Sequence, residues 1–126
     1  MKKGDTLYMH IYNLNDGLFQ TLPAVIHMVG GIIHTKSKVV DKNGNEMSRL
    51  GHILPSHFGI VEKKESTNEL IVYSESEDTI PVKQAMTEYL IKQKNQETIA
   101  YDNRMRTLDN LITGLENTIE REAERE

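Results

Sequence analysis

Five histidines have the widest chemical repertoire in this sequence, because imidazole binds metals and exchanges protons near neutral pH. A two-residue turn at Gly30-Gly31 would pair His27 with His34 across a hairpin, and His10 would lie on a neighbouring strand. Three such rings on one sheet face could share a metal ion. No acidic or cysteine ligand lies at a matching spacing, so a polar sheet face is the favoured interpretation, and no metal or other cofactor is predicted.

The sequence contains no catalytic signature. Ser56 and His57 are adjacent, but no Gly-x-Ser-x-Gly elbow holds a nucleophile, and the chain has no cysteine that could replace the serine. No glycine-rich loop has phosphate-binding spacing, since Gly30-Gly31 has the spacing of a turn. A nuclease with metal-bound carboxylates has no local signature either. These observations predict a protein that is not an enzyme.

Residues suited to binding a nucleotide are more frequent, since aromatic rings stack on bases and cations neutralise phosphates. Their densest mixture lies in residues 101–106. The alternative interpretation of that segment is a solvated junction between helices. The ligand-binding residues that we predict are Tyr89, Tyr101, Asn103, Arg104, Arg106, Lys36, His27 and His34.

The size and charge of the chain limit its class. Its 126 residues predict a single domain over 1–126, with a β-barrel or sheet over 1–75 and a helical assembly segment over 76–123. No apolar run is long enough for a transmembrane helix and no signal peptide is recognisable, so we expect a cytoplasmic protein without a membrane partner. The net charge of -4 disfavours binding to nucleic-acid backbone. A nucleic-acid-binding barrel stays open as an alternative, because His34, Lys36 and Lys38 share one strand.

Alternating apolar residues predict strands in the first 75 residues. The segment TLYMHIYN alternates Leu7, Met9 and Ile11 with other residues, and LFQTLPAVIHMV follows as a second strand with a bulge, bend or edge at Pro23. Residues 47–57 are predicted as a short strand and an ordered loop. HFGIVEKK and ELIVYSE are predicted to form a last hairpin. Its inward residues would be Ile60, Leu70 and Val72.

The glycine pair also predicts the register of the first hairpin. A two-residue loop at Gly30-Gly31 predicts the pairs Val29–Ile32, Met28–Ile33 and His27–His34. The core face would then carry Ala24, Ile26, Met28 and Ile33. The opposite face would carry His27, His34, Lys36 and Lys38.

Helical spacing replaces the strand pattern after residue 76, where a Ser or Asp cap precedes Pro81. A polar run and the pair Asp102-Asn103 interrupt this spacing, so we predict two helices, or one bent helix, with Thr107 as the second N-cap. The whole pattern predicts an α+β fold, in which a small antiparallel β-barrel or sheet of about five to six strands precedes two C-terminal α-helices. The last helix exceeds what the small sheet covers. We therefore predict a homodimer or higher homo-oligomer through Leu108, Leu111, Ile112, Leu115 and Ile119.

Four segments together resemble the small phage-encoded β-barrel proteins, in which an SH3-like barrel precedes a helical tail. They are KKGDTLYMHIYN, VIHMVGGIIHTK, LIVYSESED and TLDNLITGLENTIE. The likeness spans most of the chain, except for MSRLGHILPSHFG, and it implies the architecture and a phage origin. It implies no functional residues.

The layout is also similar to that of the Thoeris anti-defence nucleotide sponges of phages, although residues 107–119 of the last helix contain no arginine pair at i, i+4. In those proteins a β-sheet precedes two C-terminal helices that assemble subunits, and pockets between protomers hold a cyclic ADP-ribose-type signal uncleaved. This likeness implies a non-enzymatic phage anti-defence protein that sequesters a cyclic nucleotide signal in the host cytoplasm. An interaction module that inhibits a host protein is the alternative.

Overall fold

The computed structural model describes residues 1–125, in which six β-strands precede one α-helix. The strands are β1 (Thr6–Asn13), β2 (Phe19–Val29), β3 (Ile33–Val40), β4 (Glu46–Ile53), β5 (Glu62–Lys64) and β6 (Glu69–Ser74). A short 3-10 turn (Pro55–His57) follows β4, and helix α1 spans Ile80–Arg125. The strands are antiparallel in the order β4-β3-β2-β1-β6-β5, and the sheet curls into a half-barrel. The α+β prediction is confirmed.

The core lies inside the curl of the half-barrel. Successive side chains of a strand point to opposite faces, so Leu7, Met9 and Ile11 of β1 all point inward, and they are at most 2% exposed. The alternation in TLYMHIYN therefore predicted β1 correctly. The other members of the core cluster are Ala24, Ile26, Ile33, Ile53, Ile71 and Tyr73.

Pro23 lies in a part of β2 that is paired on one side only, which corresponds to the predicted edge position. It pairs with Tyr8 of β1, whereas the pairing of β2 with β3 begins only at Val25. Proline has no backbone N–H to donate to a strand ladder. None is needed here, because no residue of β3 pairs with Pro23.

The first hairpin differs from the predicted register. Its loop contains three residues, because Val29 pairs with Ile33 rather than Ile32, and Met28 pairs with His34. The register shifts between Ile26 and Met28, which makes His27 the extra residue of a β-bulge. An extra residue reverses the alternation beyond it, and for that reason Met28 is 56% exposed and not part of the core. The other three predicted core residues of this hairpin are buried.

The last hairpin is confirmed as β5 and β6, but the inward residues of β6 are Ile71 and Tyr73, whereas Leu70 and Val72 are buried on the opposite face of the sheet. The inward assignment of Ile60 is wrong, since its side chain is 51% exposed. Ile60 precedes the short strand β5 and belongs to the turn after the 3-10 segment, where its backbone N–H donates to the carbonyl of His57. Residues 47–57 contain most of β4 and the 3-10 turn, in agreement with the strand and ordered loop that were predicted.

Helix α1 is one unbroken helix of 46 residues, so the prediction of two helices is wrong. Asp102-Asn103 is helical, because the lower helix propensity of these residues costs less than about 1 kcal/mol each. Thr107 is not an N-cap, since its hydroxyl donates to the carbonyl of Asn103 at 3.0 Å within the helix. The cap at the true start is Asp78, whose side chain accepts the N–H of Ile80 at 3.1 Å.

The chain forms two compact units, Met1–Glu88 and a second that begins at Tyr89. The first unit includes the opening turns of α1, in which Val82 and Met86 are buried. Val82 lines a cavity with Val72 of β6, on the sheet face opposite the core cluster. Coverage of this second face explains why β6 is buried from Glu69 to Tyr73.

Among residues 1–125, no helix carries an apolar stretch long enough to cross a lipid bilayer.

Candidate functional site

The half-barrel is open on one side, between the edge strands β4 and β5. A cleft of about 250 Å³ lies there, which we call the seam cleft. Its lining residues are Met9, Arg49, Leu50, Gly51, His52, Glu62, Lys63, Lys64, Ile71 and Tyr73. None of these residues is among the eight ligand-binding residues predicted from the sequence.

An ion pair joins the two sides of the seam cleft. The guanidinium of Arg49 donates to both carboxylate oxygens of Glu69, at 2.8 and 3.3 Å, and the hydroxyl of Thr67 donates to the same carboxylate at 2.6 Å. Burial alone would raise the pKa of Glu69, but the hydrogen bonds from Arg49 and Thr67 and the nearby positive charges hold it below its usual value. Glu69 is therefore an ionised structural group of the fold.

Tyr73 forms the wall of the seam cleft beside β4. Its hydroxyl lies so close to Gly51 that a Cβ at this position would overlap with it, and the same Cβ would lie 3.0 Å from Oγ1 of Thr35. Burial raises the pKa of Tyr73, and a hydrogen bond with Thr35 opposes only part of that effect. Tyr73 is consequently a neutral hydroxyl at pH 7.

The charges that line the seam cleft are of both signs. Lys64 contributes an ammonium group and Glu62 a carboxylate, which is paired with His57 at 3.1 Å, whereas the side chains of His52 and Lys63 point to the outer face of the sheet. Lysine side chains can neutralise phosphate or carboxylate groups, and the half-apolar floor offers surface for a ring. The arrangement can therefore bind a small ligand.

A row of three histidines crosses the outer face of neighbouring strands. His34 pairs directly with His52 of β4, and their ring centroids are 6.4 Å apart. His27 lies 6.0 Å from His34, although the bulge replaces it with Met28 in the ladder, so the predicted direct pair is wrong. Within residues 1–125, no group of three or more His, Asp or Glu side chains has an arrangement that could hold a metal ion.

His10 does not belong to the histidine row. Its side chain is fully buried, with Nδ1 2.9 Å from the Thr21 hydroxyl and Nε2 2.8 Å from the Ser74 hydroxyl. The predicted grouping of His10 with His27 and His34 is therefore wrong. The physical reason is register: alternation places His10 on the same outer face, but it pairs with Thr21, six residues before His27 on β2, and contacts Ser74 and Ser76 instead.

The predicted ligand-binding residues fall in both units of the chain. His27, His34 and Lys36 lie in the first unit, on β2 and β3. The other five, namely Tyr89, Tyr101, Asn103, Arg104 and Arg106, lie on α1 in the second unit. A single helix presents side chains on a convex surface, and neighbours at i, i+1 do not face each other. A pocket around the helical residues therefore needs a further wall.

Comparison with protein-family models, with curated proteins and with solved structures finds no match to this chain.

Proposed function

We propose that this chain is a non-enzymatic binding protein that works as a homo-oligomer. Its proposed ligand is a small, cyclic nucleotide signal, held uncleaved where protomers meet. The phage origin and the suppression of host defence in the host cytoplasm, which the resemblance implies, belong to the same proposal. Its support comes from the exposed surface of α1 and the cations beside that surface.

The observation that carries the proposal is the apolar stripe on the second half of α1. Leu108, Leu111, Ile112, Leu115 and Ile119 are each between 49% and 67% exposed. Burial of such a side chain stabilises a protein by about 1.5–3 kcal/mol. Contact of these five side chains with another apolar surface would therefore be strongly favourable. A second protomer supplies such a surface.

The nucleotide part of the proposal is supported by the residues next to this stripe. Arg104 and Arg106 are exposed on the helical turn before Leu108 and can neutralise the phosphates of a nucleotide. Arginine presents a planar fork that fits two phosphate oxygens. A protomer packed on the stripe would provide the second wall that a convex helix lacks.

A second candidate function is protein binding at the edge of the half-barrel. Strand β4 has eight residues and one unpaired edge, and its Met47 and Leu50 are 52% and 64% exposed. An exposed strand edge accepts an extended peptide as an additional strand, and alternate side chains provide specificity. A host protein with an extended segment would fit this edge.

The proposed function can be tested by thermal shift with cyclic dinucleotides, cyclic trinucleotides and ADP-ribose isomers. A ligand that binds only the folded protein raises Tm, by an amount that grows with its concentration above Kd. We expect one class of these nucleotides to raise Tm and to be recovered intact after heating. The variant R104Q/R106Q should lose the shift, whereas R121Q, nearer the end of the helix, should keep it.

Two outcomes would contradict the proposed function. If the nucleotide comes back cleaved, the protein is an enzyme. If no member of the panel raises Tm, while a host peptide binds and the variant L50K abolishes that binding, the edge of β4 is the functional surface.

A further inference from the structure

The exposed apolar residues of α1 recur at alternating intervals of three and four residues, which is the spacing of a heptad repeat. In such a repeat the first and fourth positions, called a and d, form one stripe along the helix. The d positions hold Tyr101, Leu108 and Leu115, and the a positions hold Met105, Ile112 and Ile119. All six side chains are between 38% and 67% exposed. Leu111 flanks this heptad stripe at position g.

We propose that the heptad stripe is covered by the same stripe of a second copy, in a parallel two-stranded coiled coil over residues 101–119. This inference rests on the homo-oligomer of the proposed function and adds its stoichiometry and its orientation. β-Branched isoleucine at a with leucine at d favours two parallel strands over three or four. Two successive heptads of this chain have that combination, with Leu108, Ile112, Leu115 and Ile119.

Charges beside the heptad stripe support the parallel orientation. The e positions hold Asp102, Asp109 and Glu116, so all three are acidic. An antiparallel pair would bring e positions of the two helices together, and like charges would repel. In a parallel pair a g position faces the e position five residues later, so Arg104 would face Asp109 of the partner subunit. This pairing is attractive.

The polar residues at either end limit the length of the coiled coil. On the N-terminal side, position a holds Thr98 and position d holds Lys94. On the C-terminal side, position d holds Glu122. Residues 101–119 extend for about 27 Å at 1.5 Å per residue, which is close to three heptads. A coiled coil this short is expected to dissociate at a measurable concentration.

Single cysteines can test the orientation, because the chain has no cysteine of its own. The variants Y101C and I119C mark the two ends of the heptad stripe, about 27 Å apart along the helix. A disulfide forms only when two Cα atoms are within about 7 Å. Each variant, oxidised alone at micromolar concentration, should give a covalent dimer if the helices are parallel. N110C, at the outer f position, is the matched control and should give none.

Sedimentation of the unsubstituted full chain provides an independent readout, with an expected mass of two chains. Self-cross-linking of both Y101C and I119C supports the inference. Cross-linking that appears only when the two variants are mixed indicates an antiparallel pair, and a mass of three or more chains indicates a different bundle; either result overturns it. A monomer overturns both the coiled coil and the assembly in the proposed function. A parallel dimer that binds no nucleotide overturns the nucleotide proposal alone.

Discussion

At the scale of single residues, His10 shows how burial selects a protonation state. Its ring is fully buried, and its nitrogens lie within 3 Å of the hydroxyls of Thr21 and Ser74. Burial lowers the pKa of His10, because a charged ring loses its hydration, and the hydrogen bond to the Ser76 carbonyl opposes only part of the effect. His10 is therefore neutral in the folded protein at pH 7.

This lowered pKa predicts a loss of stability as pH falls. Below the pKa of histidine in the unfolded chain, about 6.5, His10 is protonated in the unfolded chain but stays neutral in the folded protein. The free energy of unfolding therefore decreases as pH falls, until pH passes the pKa of folded His10. We expect the urea midpoint to fall between pH 7.5 and 5.5, and H10Q to show a flatter dependence. Equal slopes for H10Q and the unsubstituted protein would contradict the prediction.

The Arg49–Glu69 pair gives a second prediction at this scale. Both side chains are mostly buried, with exposures of 21% and 7%, so R49M leaves a carboxylate without its bidentate partner. We expect R49M to lower the free energy of unfolding by about 2–4 kcal/mol, measured by urea denaturation at pH 7. K38M removes the exposed ion pair with Glu46 and should change it by less than about 1 kcal/mol.

The sign of the Glu69 pKa shift provides a check on R49M. Because the folded pKa lies below that of the unfolded chain, about 4.3, the ionised pair stabilises the fold above that pH, and this contribution is lost as pH falls through the folded pKa. The difference between R49M and the unsubstituted protein should therefore shrink at acidic pH. A difference that stays constant would show that Arg49 acts through packing alone.

At the scale of elements, the opening of α1 is part of the half-barrel unit. Val82 and Met86 are 5% and 3% exposed, and the ammonium of Lys83 lies 4.8 Å from the ring centre of Phe19. The first turns of the helix thus cover the part of the outer face near β6, whereas later turns carry exposed apolar residues. Residues of one helix consequently contribute differently to stability.

Alanine substitutions along α1 should reveal this division. M86A removes a buried side chain from a packed face and is expected to lower the free energy of unfolding by about 2–4 kcal/mol. I99A is the matched control, because Ile99 is 61% exposed and outside the heptad stripe, and its effect should stay within about 0.5 kcal/mol. Urea unfolding followed by far-UV circular dichroism measures both. Similar losses for the two variants would contradict the division.

Elements could be predicted from this sequence better than the contacts between them. The alternation of Leu7, Met9 and Ile11 was sufficient for β1, because one face of that strand is buried throughout. The bulge at His27 has no local signature, so the register beyond it was wrong. The break expected at Asp102-Asn103 was wrong because helix propensities are small beside the cooperativity of a long helix.

The seam cleft could not be predicted for a different reason. It brings together Arg49 and Glu69, which are twenty residues apart and lie on strands that are not neighbours in the sheet. Only the curl of the sheet places them in contact, and no periodicity of the sequence encodes that curl. The glycine at position 51 weakened the strand pattern, yet it is the residue that lets the Tyr73 hydroxyl approach β4.

At the scale of the whole molecule, the proposed association through α1 predicts that stability depends on protein concentration. Such association would bury the exposed apolar surface of α1 and stabilise the folded chain, so Tm should rise with protein concentration. We expect Tm and the helical ellipticity at 222 nm to fall together over a hundredfold dilution. The double variant L108K/L115K should lose this dependence, because lysine cannot be buried between two helices without a partner. N110K/N117K, which carries the same added charge at outer f positions, should keep it. Concentration-independent Tm and ellipticity in the unsubstituted protein would show that the helix is stable alone and that the stripe has another partner.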